Sequence, residues 1–135
     1  MMVRNILGVL AGVAVAILAV MAGEFVLHVL VPLPMPDPAD AAAMEALMAS
    51  APLAAKWGLV VVYFVATALG AFTATRITVR VWSGWVVMAV MMAATVANFV
   101  MLPHPAWLMI AALVLIGAGG WLGIRTARPR PAAAG

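Results

Sequence analysis

A chain of 135 residues that is 68% apolar and only 8% charged, with a mean hydropathy of +1.23, does not have the composition of a soluble domain. Such a domain must cover much of its surface with polar and charged groups. The absence of cysteine excludes disulfides, thiol redox chemistry and thiolate metal sites. A net charge of +3 and a pI near 10.7 do not identify nucleic acid as a partner. The arginines sit at the ends of long apolar runs, where they act as topology signals.

Residues 5–31 are the first apolar run, stopped by Pro32. At 1.5 Å per residue a helix over them is about 40 Å long, more than the ~30 Å of bilayer hydrocarbon, so it is predicted to tilt or project. A basic start and small residues around 20–22 also resemble a cleavable leader. The apolar core outruns the ~7–15 residues usual for one, so the run is read as a retained anchor. Gly8 and Gly12, extended by Ala16, form a GxxxG pattern, and Glu24 and His28, four apart, share one face.

The one long connection, 32–53, opens with Pro32-Leu33-Pro34-Met35-Pro36, which favours extended backbone. Asp37 then has the pattern of an N-cap, with Pro38 in the first helical position and Asp40 three residues on. Met44, Leu47 and Met48 follow on one face, which predicts a short amphipathic helix lying on the membrane surface as a packing lid.

The second span, 57–75, lies between Lys56 and Arg76 and carries Tyr63, Thr67 and a small-residue stripe of Ala66, Gly70 and Ala74. The third, 81–102, runs from Arg80 to Pro103, with Ala89, Ala93 and Ala97 in a row and Asn98 sharing a face with Thr95. Pro103-His104-Pro105 makes a tight turn, and Trp107 is placed to anchor at the interface. The fourth span, 106–124, contains Gly119 and Gly123 and ends at Arg125. Residues 129–135, rich in proline and alanine, are expected to be a disordered tail.

Ten-residue alternating strands are absent, so the runs are helices and not barrel strands. The prediction is an all-α polytopic membrane protein. A four-transmembrane-helix bundle occupies 1–128, with a short outer amphipathic helix. Gly8, Gly12, Ala66 and Gly70 are its predicted helix-packing positions.

If the spans alternate in direction, six of the seven basic residues fall on one side. Lys56 falls on the other, with all four acidic residues. The positive-inside rule then puts both termini inside. The same alternation brings Glu24, His28, Asn98 and His104 to one depth in the outer leaflet, with Tyr63 in the outer half of its own helix. Ionisable groups within a membrane are costly and are candidates for a site. They can equally clamp the bundle, Glu24 bonding to His28, Asn98 or Tyr63, because buried polar groups need partners in either case. Two histidines and one glutamate are too few for a metal site.

The Glu24…His28 pair, the Asp-Pro loop and the stretch from Asn98 through Met101, Pro103, His104 and Pro105 to Trp107 together resemble a group of uncharacterised bacterial four-helix integral membrane proteins. That group shares an Asn-x-x-Met-x-Pro-His-Pro-x-Trp-like motif. The resemblance implies the fold over most of the chain and no activity. Small multidrug-resistance transporters also have four short helices and a glutamate in the first. Here Glu24 lies near a helix end, the loop is long, and the charge bias is too strong for dual topology.

No nucleophile–base set or phosphate-binding loop occurs, so an enzyme is the least supported class. The expected role is structural or accessory, as a subunit of a complex in a bacterial inner (plasma) membrane. Its partners would be the lipid bilayer and a membrane protein or second copy, with no nucleic acid. A proton-linked transporter or channel using Glu24 is the alternative, and a pigment- or haem-associated subunit using His28 is a second. The cofactor is left open. The orientation is testable with single cysteines at Ala42 and Thr78 and an impermeant thiol reagent on intact cells. Ala42 should be labelled and Thr78 protected; the reverse would invert the assignment.

Overall fold

In a computed structural model, which describes residues 2–34, 37, 39–101 and 104–128, the chain is all-helical. Five helices follow one another: α1 (Met2–Leu30), α2 (Ala41–Ser50), α3 (Leu53–Thr78), α4 (Val81–Met101) and α5 (Ala106–Ala127). All but α2 are long and apolar enough to cross a bilayer, and the chain is a multi-pass membrane protein. The predicted tail at 129–135 lies outside the described residues.

Directions alternate along the chain. Gly8 faces Ile77 and Thr78 while Gly23 faces Val62, so α1 and α3 are antiparallel. Gly119 meets Phe64 and Gly123 meets Ala68, which makes α3 and α5 parallel neighbours. Among the described residues α3 and α4 each touch all three other spanning helices, whereas α1 and α5 do not touch each other. The cross-section is therefore a rhombus with α3 and α4 on its short diagonal.

Where the helices cross, backbone meets backbone. A Cβ added to Gly12 would fall 2.7 Å from the Gly70 carbonyl oxygen, and one on Gly70 would fall 2.7 Å from that of Gly12. Gly8 and Ala66 are buried at different levels of the bundle, Gly8 against Thr78 and Ala66 in the central layer with Ala16, Met91 and Ile116. All four predicted packing residues thus serve contacts within the chain. That layer is 0–8% exposed and takes one residue from each spanning helix.

The α3–α4 turn is a sealed polar knot at the arginine end. Val79 is left-handed, with φ 58°, the conformation a helix C-terminus commonly adopts through glycine. Thr78 holds it: its hydroxyl accepts the Arg80 backbone N–H at 3.1 Å and shares a 2.7 Å hydrogen bond with Ser83 Oγ. Ser83 in turn donates to the Arg80 carbonyl at 2.7 Å. Because Thr78 is fully buried, Val79, 58% exposed, is the better position at this end for a cysteine probe.

The helices outrun the spans read in the sequence, α1 beginning at Met2, α3 ending at Thr78 and α5 at Ala127, and two further differences bear on the loop side. The loop aspartate that caps α2 is Asp40 and not Asp37: its Oδ1 accepts the Ala43 N–H at 3.1 Å. Asp37 instead accepts the Ala39 N–H at 3.0 Å in a turn before the helix. α3 also starts at Leu53, earlier than the predicted 57, because Pro52 supplies a carbonyl to the N–H groups of Ala55 and Lys56. Lys56 consequently lies inside a helix and does not mark its edge.

The crossing yields a contrast. Gly70→Val would press its side chain on the Gly12 carbonyl and the Ala16 Cβ, and should lower stability by about 1–3 kcal/mol. Gly117→Ala meets only the tip of Met92, at 3.3 Å, and should be close to neutral. Thermal unfolding in detergent measures both.

Candidate functional site

The acidic end of the bundle is loosely closed. After α1 the chain leaves the bundle, and α2 makes no helix–helix contact with the four spans. It touches them through side chains alone: Met44, Leu47 and Met48 are its half-buried face. Under Leu47 and Met48 lies a cleft of about 220 Å³. Leu27 of α1, Ala55 and Leu59 of α3 and Leu108 of α5 give it apolar walls.

Three ionisable side chains line this cleft: Glu24 and His28 from α1 and Lys56 from α3. The first two are there because they lie one helical turn apart, and Lys56 because α3 extends back to Leu53. Among the described residues no ion pair or hydrogen bond joins Glu24 to either of the others. Both α1 residues are exposed on the surface of the bundle. A carboxylate, an imidazole and an ammonium therefore stand around an apolar cleft with hydrogen-bonding capacity not used on one another.

The other predicted residues are elsewhere. Tyr63 and Asn98 line a second crevice, of about 210 Å³, between α1 and α4, together with Met21, Met91 and Thr95. Thr95 is turned back on its own helix, donating to the Met91 carbonyl at 2.7 Å. His104 packs edge-on against Phe99, with ring centroids 4.9 Å apart. Glu24 and His28 thus line one cleft, and Tyr63 and Asn98 another. Among the described residues no hydrogen bond links Glu24 or His28 to Asn98.

Tyr63 is the nearest to a connection. It packs into both core clusters and lies within electrostatic reach of Glu24. The split arises because α1 presents Glu24 and His28 toward the α2 side, while Asn98 faces the α1–α4 crevice. Lys56 was missed as a site residue because its charge marked a span boundary. The signal that would have found it is the uninterrupted helix-forming stretch between Pro52 and Trp57.

Among the described residues no group of three or more potential metal-ligating side chains comes together. Trp57 and Trp107, at the starts of α3 and α5, pack with ring centroids 5.6 Å apart and their planes tilted by 42°. Comparison with known proteins found no matching family model, no similar curated protein and no similar solved structure.

The cleft depends on α2 being folded over it. Asp40→Ala should fray the first turn of α2, costing about 0.5–2 kcal/mol, with faster amide exchange over 41–44. Asp37→Ala should leave exchange in that turn near wild type, since Asp37 caps nothing there.

Proposed function

We propose that this chain is an accessory subunit of a membrane complex, holding a partner protein at its acidic end through the exposed Glu24–His28 face of α1. The carrying observation is that a carboxylate and an imidazole stand exposed on a spanning helix with no side-chain hydrogen bond or ion pair to any described residue. A polar side chain at membrane depth is costly when it faces lipid, and donors on a neighbouring protein remove that cost. α2 supports the reading, since a surface helix without backbone contacts can be repositioned by a partner. The gathering of arginines at the opposite end supports an inner-membrane orientation with both termini inside.

A proton-linked carrier using Glu24 is the second reading, favoured by the three ionisable groups around one cleft. Against it stands the layer of Ala16, Ala66, Met91 and Ile116, which closes the middle of the bundle. Carriers typically place their site at that depth.

Gentle extraction followed by native mass spectrometry tests the assignment. The chain should travel with another membrane protein in fixed stoichiometry, and Glu24→Ala with His28→Ala should release it with its helical content unchanged. A wild-type chain that travels alone overturns the proposal. Proton flux in proteoliposomes that is abolished by Glu24→Gln would establish the carrier instead.

A further inference from the structure

The crevice lined by Tyr63 and Asn98 belongs to the seam of α1 and α4, which touch each other less than any other contacting pair of spans. Ile17 and Met21 of α1 and Ala94 of α4 line it and are exposed, whereas Met91 and Thr95 line it and are buried. It is therefore floored by the bundle and open sideways to the bilayer.

Two polar side chains in this lining are left over. Among the described residues neither the Tyr63 hydroxyl nor the Asn98 amide has a hydrogen-bond partner. The threonines of the spans that touch the same core settle their own needs: Thr67 and Thr95 each donate at 2.7 Å to the carbonyl four residues back. A tyrosine hydroxyl cannot do this, because a rigid ring carries it away from its own backbone. Water is scarce inside hydrocarbon, so an unpaired donor at that depth is costly until something brings it an acceptor.

The lining restricts what that something is. It contains no charged residue, which disfavours an ionic head. Tyr63 packs on the central layer beside Met91, at the middle of the bundle, where the ester carbonyls of a phospholipid anchored by its headgroup do not reach. The volume is about 210 Å³. A cavity of ~150 Å³ takes a benzene ring, so this one takes a single substituted ring and is too small for a tetrapyrrole. Met21 and Met91 add polarizable thioethers, which make favourable contacts with flat π systems.

We propose that the α1–α4 crevice binds the head ring of a membrane quinone, its carbonyl oxygens accepting from the Tyr63 hydroxyl and the Asn98 amide. The apolar tail leaves past Ile17, Met21 and Ala94 into the bilayer. An uncharged ring with carbonyl acceptors supplies what both side chains lack and enters laterally from lipid. The site is on a different seam from the Glu24–His28 face and does not depend on a partner protein there.

The test is equilibrium binding of radiolabelled decylubiquinone to the protein in phosphatidylcholine nanodiscs, with uptake by empty nanodiscs subtracted. Wild type should bind it saturably, at a single molecule per chain. Decylbenzene, which has the same tail on a ring without carbonyls, should compete at least about tenfold more weakly, as expected when hydrogen bonds carry the recognition. Tyr63→Phe and Asn98→Leu should each weaken binding by roughly three- to tenfold, the weight of one hydrogen bond. Tyr63→Phe keeps the ring that packs in the core, and Thr126→Val, on the α3–α5 seam, should bind like wild type. Absence of saturable binding, equal competition by decylbenzene, or full affinity in either Tyr63→Phe or Asn98→Leu would overturn the proposal. The decylbenzene comparison needs only the wild-type chain, so it decides the matter even if a variant does not fold.

Discussion

Close approach of helix backbones is the constraint on which the other features of this structure rest. In a bilayer the lipid is as apolar as leucine, so burying leucine against leucine drives association weakly, and packing contacts and local hydrogen bonds must do more. Gly12 and Gly70 supply such a contact between α1 and α3, and Gly123 supplies another by resting on Ala68 between α5 and α3. Because α3 is approached this closely on two sides, it becomes the hub of the bundle. α4 completes the short diagonal through the knot of Thr78, Arg80 and Ser83.

This economy of side chains at the crossings has a cost elsewhere. Bulk that is absent from the contacts is also absent from the furrows beside them, so the bundle has clefts along its seams. At the acidic end the α1–α3 seam opens under α2, and at the arginine end the α3–α5 seam forms a groove. The two differ in their lining. One has a carboxylate, an imidazole and an ammonium around apolar walls; the other is apolar apart from Thr126.

The same geometry explains why the polar residues of the spans do not gather. A helix that turns its glycine stripe inward must turn another face outward, and the stripe of Gly8, Gly12 and Ala16 governs the rotation of α1. Glu24 and His28 end on the exposed side as a consequence. Asn98 faces a crevice on a different seam, and His104 is taken up by Phe99. A place near the same end of the bundle is not proximity.

The all-helical bundle with four spans, and the segregation of arginines from acidic residues, were legible in the sequence because hydropathy and charge act residue by residue. A run of about 20 apolar residues crosses hydrocarbon whatever surrounds it. The small-residue positions Gly8, Gly12, Ala66 and Gly70 were also visible, as a spacing. Which helices they join was not, since every apolar face of a spanning helix has the same affinity for lipid and for another helix. The choice of Asp40 over Asp37 as the cap, and the entry of Lys56 into the cleft, depended on where α2 and α3 begin, a matter of backbone geometry around Pro52 and the loop prolines. Sequence thus determined the number of spans and the charge on their ends. Only the tertiary structure decided how each helix is rotated about its axis, because that rotation is set by steric fit between backbones and not by any difference in hydropathy around the helix.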